Sequence, residues 1–360
     1  MDYMCNPNFN SKIQNKLPLL LTCSKGLEHI VLAEIESIYP KVIVYKIIRG
    51  KLIVKLDVSL EQLFQLKCVD NIYLFIGKLY CGKTKNDLKK FCNDLKKIDM
   101  SIINKIYNKY NEQKTVWVNA SRAGKQTFSR FDIEKGALNA FVSKKNFIEG
   151  KEEKHDLEFR IDLIDHEAII SLKLTSSQFR FRSAQRNFSA GAIRPTIAHS
   201  MIWLSKPKKT DIFYDPCCGS GTIISERQYY PSKKIIGTDI NNKAVMTAKN
   251  NVSANVIVYQ ADATKMRMKD KSVSTIVSNI PWDVQIKLDD ILKFYFDFLG
   301  EVKRVIKPDG KIILLTDKKD ELFQTCKLLE LDCEEIATLS LHGLQPTIFE
   351  IRVCEKKCEC

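Results

Sequence analysis

From Pro195 onward the chain alternates short β-rich runs with helical ones, an order few folds accommodate. A helix at 195–205, a strand at 211–215 and a glycine turn are predicted first. Helix 222–229, strand 234–239, helix 241–252 and strand 255–260 come next. Strand 273–279, helix 289–306, strand 310–316 and helix 319–329 follow. Repeated β–α units of this length build a doubly wound parallel sheet. Two late β-rich segments, 331–341 and 347–354, have no helix between them, so an antiparallel pair is expected at one edge.

The front half follows another rule. A polar leader, 1–16, precedes a buried strand at 17–23 and a helix at 25–39, whose Leu27, Ile30, Val31, Glu34, Ile35 and Ile38 keep helical spacing. Runs 42–48 and 51–56 flank Arg49-Gly50, a hairpin turn. This β-α-β-β order marks a small α+β module over 17–59. A second unit, 60–175, is predicted to hold helix 60–67, strand 72–80 and a helical stretch 84–110 broken near Asp99. Strand 115–120, helix 131–143, a charged loop at 149–156 and strands 157–163 and 168–174 complete it. Residues 176–194 read as a polar linker able to touch RNA, with Arg180, Arg182, Arg186 and Arg194 around Phe179, Phe181 and Phe188.

Charge divides the chain at the same place. Residues 1–194 carry 33 Lys+Arg against 21 Asp+Glu, and residues 195–360 carry 24 against 22. A basic half joined to a nearly neutral half fits a polyanion-binding module attached to something else. The twelve cysteines are scattered among apolar positions in a chain too long to need disulfide staples, so a reducing, cytoplasmic setting is expected. No apolar run reaches the ~20 residues that span a bilayer, and the leader resembles no secretory signal. The terminal Cys354, Cys358 and Cys360 lack a second ligand cluster, and no metal site is expected.

Two motifs carry chemistry. The first, F-Y-D-P-C-C-G-S-G-T at 213–222, joins a strand to a helix. Gly219 and Gly221 permit close backbone approach to a ligand, and the helix opening at Thr222 presents free N–H groups. Asp215 before the glycines would repel a pyrophosphate but suits the cationic sulfonium and amino group of S-adenosylmethionine. Position 224 is Ile, so the third glycine of a dinucleotide loop is missing. Asp239, 18 residues beyond Gly221 in G-T-D-I-N, is placed to accept ribose hydroxyls. Asp262 in Q-A-D-A-T, beside Ala263, is placed to accept an adenine amino group. Read singly, each aspartate is as readily a turn cap. Together with the glycine loop they converge on one crevice. Cys217 resembles the nucleophile of a Pro-Cys pair, but its place inside the cofactor loop points to a packing or backbone role.

The second motif, S-N-I-P-W, ends strand 273–279. An exocyclic amine is a poor nucleophile because its lone pair is delocalised into the base. The side-chain oxygen of Asn279 and the carbonyl of Ile280 or Pro281 would accept its protons and orient the lone pair. Trp282 would stack the extruded base. Asp283 carries a carboxylate able to accept guanine N1–H and N2–H together, although a solvated loop carboxylate is the simpler reading.

These residues resemble the amino-group methyltransferases with N/D-P-P-Y/F/W signatures. Arg194-Pro195-Thr196-Ile197-Ala198 is similar to the R-P-x-x-A that opens the catalytic domain of THUMP-domain RNA methylases. L-L-L-T-C-S-K-G-L-E at 19–28 resembles the start of their N-terminal ferredoxin-like domain. The resemblance implies a ferredoxin-like domain at 17–59, a THUMP domain at 60–175 and a Rossmann-like class I methyltransferase domain at 195–360. The subgroup it points to is the tRNA guanine-N2 methyltransferases, which implies methyl transfer in the acceptor stem. Some members use a small activating subunit, for which no docking signature is visible. Ile280 and Asp283 depart from the usual signature, Asp283 standing where a glycine is common. Ribosomal RNA as substrate, an adenine or cytosine amine, and an RNA-binding protein that merely retains cofactor are the other readings.

Overall fold

The computed structural model describes residues 9, 15–107, 112–176, 178–182, 192–282, 290–341 and 343–353. It contains two compact units, Met1–Thr22 with Ile35–Phe179 and Cys23–Glu34 with Arg180–Cys360.

The first unit is built on one eight-stranded sheet. Its elements are β1 (Asn15–Thr22), β2 (Ile43–Ile48), β3 (Lys51–Val58), β4 (Asn71–Tyr80), β5 (Lys114–Ala123), β6 (Phe147–Glu149), β7 (Leu157–Ile164) and β8 (Glu167–Lys173). The strand order is β2-β3-β1-β4-β8-β7-β5-β6. Helix α1 (Glu28–Ile38) begins in the segment assigned to the second unit, whereas α2 (Leu60–Leu63), α3 (Lys85–Leu95) and α4 (Arg130–Val142) come between these strands in sequence. Ser59, Thr84 and Ser129 start α2, α3 and α4 with reciprocal capping boxes to Gln62, Asp87 and Asp132. The turn Arg49-Gly50 closes the antiparallel β2–β3 hairpin as expected. The modules read as 17–59 and 60–175 share hydrogen bonds, because β1 pairs antiparallel with β4, Leu19 opposite Leu74.

One local expectation fails for a visible reason, and one short strand is not among the expected elements. The helical stretch 84–110 ends at Leu95, and Asp99 then accepts bonds from both the amide and the hydroxyl of Ser101. That local turn competes with helix and leaves, among the described residues, a short 3₁₀ segment, Ser101–Lys105. Strand β6 has three residues, too few to display a period.

The second unit carries α5 (Pro195–Leu204), β9 (Ile212–Asp215), α6 (Thr222–Arg227), β10 (Lys234–Asp239), α7 (Asn242–Asn251), β11 (Ile257–Gln260) and β12 (Val273–Asn279). It closes with α8 (Ile291–Val305), β13 (Ile306–Thr316), α9 (Lys319–Leu328), β14 (Leu331–Thr338) and β15 (Thr347–Val353). The sheet order is β11-β10-β9-β12-β13-β15-β14. The first five strands run parallel, and β15 lies antiparallel to both β13 and β14. Helix α8 buries Tyr295, Phe298, Leu299 and Val302, an i, i+3, i+4, i+7 stripe, against Ile276, Leu314 and Phe349. Each such apolar side chain stabilises the unit by about 1.5–3 kcal/mol relative to exposure.

Candidate active site

Chain order reverses at β9: β10 lies on one side of it and β12 on the other. In an open α/β sheet such a switch point leaves a crevice beyond the carboxyl ends of the strands. A cavity of about 370 Å³ occupies that place. Its walls include Asp215, Cys217, Gly219, Thr222, Asp239, Asp262, Ala263, Asn279, Pro281 and Trp282. Eight residues read as cofactor-binding and three read as catalytic thus come together, with one exception.

That exception is Gly221, which is not on the wall. It precedes α6 with φ +85°, and a Cβ there would stand 3.1 Å from Ala248 of α7. Its conformation lets the loop turn and the two helices approach.

The three aspartates differ in what they hold. Asp215 ends β9 fully buried, with Oδ1 accepting from the Ser278 hydroxyl at 2.7 Å and the Cys217 amide at 3.2 Å. Its Oδ2 is buried without a hydrogen-bond partner among the described residues. Burial pushes this carboxyl up to about 7, while the donors from Ser278 and Cys217 pull it down. Asp239 accepts from the Gly219 amide at 2.9 Å and the Asn241 amide at 2.8 Å, so it braces the glycine loop from the next strand. Asp262 accepts from the amide and hydroxyl of Thr264, at 2.8 and 2.7 Å. All three therefore cap turns, and all three also face the cavity.

Burial, with Asp215 and Asp239 nearby, pushes the Cys217 thiol well above its usual range. A thiol held protonated is a poor nucleophile, in keeping with a packing and backbone role.

On the far side, Asn279 ends β12 with its Oδ1 buried and unpartnered among the described residues. The Trp282 indole N–H donates to the Leu315 carbonyl at 3.3 Å, which fixes the ring at the cavity wall. The Pro281 carbonyl already accepts from the Tyr295 hydroxyl at 2.9 Å. That bond uses one of the two lone pairs of the Pro281 carbonyl, so of the two backbone acceptors considered for a target amine the Ile280 carbonyl is the less committed.

Residues 182–346 match the family profile described as the RMKL-like methyltransferase domain. The back half of the chain is a methyltransferase domain. Across 84% of this chain and 91% of its own length, a tRNA (guanine(6)-N2)-methyltransferase of the archaeon Methanocaldococcus jannaschii is 25% identical. The mouse tRNA (guanine(6)-N(2))-methyltransferase THUMP3 is 28% identical over 46% of this chain, and that match spans only 36% of the mouse protein. The crystal structure of TrmN from Thermus thermophilus superposes with a TM-score of 0.76 at 20% identity, covering 94% of this chain and all of that one. That likeness establishes a common fold.

The arginines preceding the methyltransferase domain behave differently from expectation. Arg182 is buried with φ 65°, and its Nε lies 3.4 Å from Glu226 on α6. Glu226 also pairs with His199 Nδ1 at 3.1 Å, and His199 Nε2 meets the Tyr230 hydroxyl at 2.9 Å. A cation so enclosed is a structural partner and is not offered to RNA. Phe179 is likewise buried, 5.9 Å from Phe64, so 176–194 is not wholly a loose polar linker. Arg180 lies over the Phe181 ring at 4.6 Å, and Arg194 occupies the N-cap position of α5. Arg186, Asp283 and the terminal Cys354, Cys358 and Cys360 lie outside the described residues.

The methyltransferase domain also employs residues that the motifs did not reveal. Ser278 was visible in S-N-I-P-W, but its bond to Asp215 needed the sheet pairing. Ala192, Ile193 and Phe294 line the cavity from segments remote in sequence. Among the described residues no group of acids, histidines and cysteines is arranged to hold a metal.

Proposed function

We propose that this chain transfers a methyl group from S-adenosylmethionine to the exocyclic N2 amine of a guanosine in tRNA, in the acceptor stem, and that it works in the cytoplasm. The observation carrying this reading is the pair of buried, unpartnered oxygens, Asp215 Oδ2 and Asn279 Oδ1, facing one cavity from adjacent strands. Buried polar atoms are normally paired, so two orphans in one wall ask for donors from a ligand. Asp215 suits a cationic or N–H group, Asp239 suits hydroxyls, and the glycine loop admits close approach, which together fit S-adenosylmethionine. Bound there, this cofactor would supply an electrophilic methyl carbon attached to a cationic sulfur.

The protein's own work is positioning. Asn279 Oδ1 accepts one amine proton, the Ile280 carbonyl accepts another, and the nitrogen lone pair is turned toward the methyl donor. Trp282 offers the stacking face for a base taken out of its helix. The amine becomes acidic only after transfer, so its proton can leave to water. Asp283 remains a proposed selector for guanine. The first unit, read as a ferredoxin-like part at 17–59 and a THUMP domain at 60–175, is proposed to hold the RNA. Relatives named as tRNA guanine-N2 methyltransferases support the choice of base and RNA.

The test offers bulk tRNA and bulk rRNA to the purified chain with labelled cofactor, followed by nucleoside analysis. N2-methylguanosine in tRNA is expected. Label in adenosine alone, or in rRNA alone, overturns the assignment. Asn279→Ala is expected to abolish transfer while binding cofactor nearly as wild type does by calorimetry. Transfer by the lone chain would also show that no activating subunit is required.

A further inference from the structure

The segment carrying the proposed amine acceptors is tied to the end of β13 by a directed chain of hydroxyls. Tyr295, buried on α8, lies 2.9 Å from the Pro281 carbonyl and 2.6 Å from Thr316 Oγ1. Thr316 Oγ1 in turn accepts from the Lys318 amide at 3.0 Å. The two ends fix the direction. A carbonyl can only accept, so the single phenolic proton of Tyr295 goes to Pro281. An amide N–H can only donate, so Thr316 receives from Lys318 and passes its own proton to Tyr295. Each donor in such a chain polarises the next, which strengthens the last bond. Burial pushes the Tyr295 phenol above its ordinary range, so it stays protonated and remains a donor throughout the physiological range.

A second tie runs in parallel. The Leu315 carbonyl accepts from the Ile280 amide at 3.2 Å and from the Trp282 indole at 3.3 Å. The peptide between Pro281 and Trp282 is thereby held from both sides.

We propose that Tyr295 and Thr316 are positioning residues: they engage one lone pair of the Pro281 carbonyl, so fix the turn that presents the Asn279 and Ile280 acceptors to the target amine, and hold the Trp282 face where a base must stack. This deepens the methyl-transfer reading above and rests on it for its catalytic consequence. The positional claim itself can be read without RNA.

Two measurements test it. In steady-state methylation, Tyr295→Phe keeps the ring and removes one hydroxyl. It is expected to lower kcat by about 10- to 100-fold with KM for tRNA and cofactor affinity nearly unchanged, since misplacement of a reacting group acts on the chemical step. Thr316→Val should behave alike, and Thr316→Ser, which keeps the donor, should restore activity. Equal kcat in folded Tyr295→Phe overturns the proposal, as does a loss confined to KM. In the second measurement Trp282 is made the sole tryptophan by Trp117→Phe and Trp203→Phe. Acrylamide quenching of its fluorescence should increase on adding Tyr295→Phe or Thr316→Val, but not Thr316→Ser. Unchanged quenching overturns the positional claim even if the wild type methylates some other RNA. A wild type inactive on tRNA would sink the substrate reading alone, and the quenching result would then decide this one.

Discussion

At the residue scale, the carboxyl of Asp215 is the group whose environment is most informative. Its value in the folded protein, about 7, lies above the ordinary carboxylate range, chiefly through burial. The folded protein therefore keeps a proton that the unfolded chain releases. The resulting stability is full below the ordinary carboxylate range and is lost as pH rises through about 7. Asp215→Asn removes this dependence. The cofactor-free wild type is expected to lose melting temperature relative to the variant between about pH 5 and about pH 8. A cationic ligand group would favour the ionised form, so cofactor affinity should rise over the same interval in the wild type and stay weak and flat in the variant. Calorimetry at several pH values checks both; a wild-type affinity independent of pH would contradict the assignment. Arg182 gives a prediction of another kind. Truncating one member of a buried ion pair is destabilising, by about 3–5 kcal/mol. Arg182→Ala should therefore lower the thermal midpoint sharply, as followed by circular dichroism. A role in RNA binding would instead leave stability intact and weaken binding only.

At the scale of elements, the first unit holds a groove of about 710 Å³ lined by Lys16 of β1, Lys46 and Tyr45 of β2, Lys55 of β3, and Lys78 of β4, with Asp99 the one acid on its wall among the described residues. Lys46 and Lys78 share one acid, Glu167, at 2.9 and 3.1 Å. Lys16 and Lys55 have no carboxylate partner among the described residues. These two are the cations most available to phosphates. Replacing both, Lys16→Ala with Lys55→Ala, should make the slope of log affinity for tRNA against log salt shallower by about 0.7–0.9 for each phosphate that is no longer neutralised. A salt titration by fluorescence anisotropy reads this directly. An unchanged slope would place the RNA on another face. The glycine loop illustrates legibility at the same scale. Its composition announced a ligand site, yet Gly221 serves the packing of Ala248 while Gly219 lines the cavity. Spacing alone does not separate these uses, because both require the absence of a Cβ.

At the scale of the whole molecule, the second unit recruits Cys23–Glu34 from the start of the chain. The Ser340 amide donates to the Lys25 carbonyl at 3.1 Å, and a Cβ at Gly26 would meet the Thr338 carbonyl at 2.1 Å. Glu34 stands 4.0 Å from His199. A fragment of residues 195–360 lacks these interactions and the Arg182 pair. It is expected to melt well below the full chain, or without a cooperative transition. A cooperative transition at the full-chain temperature would show that the early segment contributes nothing.

Sequence alone determined the order of β and α elements in the back half, the two motifs and the asymmetry of charge. Those signals are local: periodicity, turn residues and composition act within a few positions of one another. It also placed Asp215, Asp239, Asp262 and Asn279 at strand ends, and a parallel sheet necessarily gathers strand ends along one edge. Tertiary structure alone decided which of these side chains keep an unpaired oxygen, because pairing depends on partners distant in sequence, such as Ser278 for Asp215, 63 residues away. It decided that Arg182 is enclosed by α6 rather than offered to RNA, since a run of arginines looks identical in sequence whether or not a glutamate waits across the fold. It also assigned the Pro281 carbonyl to Tyr295, 14 residues further on, a bond made by the packing of α8 against the sheet. No local pattern encodes that bond, because the hydroxyl's direction is set by where the helix docks.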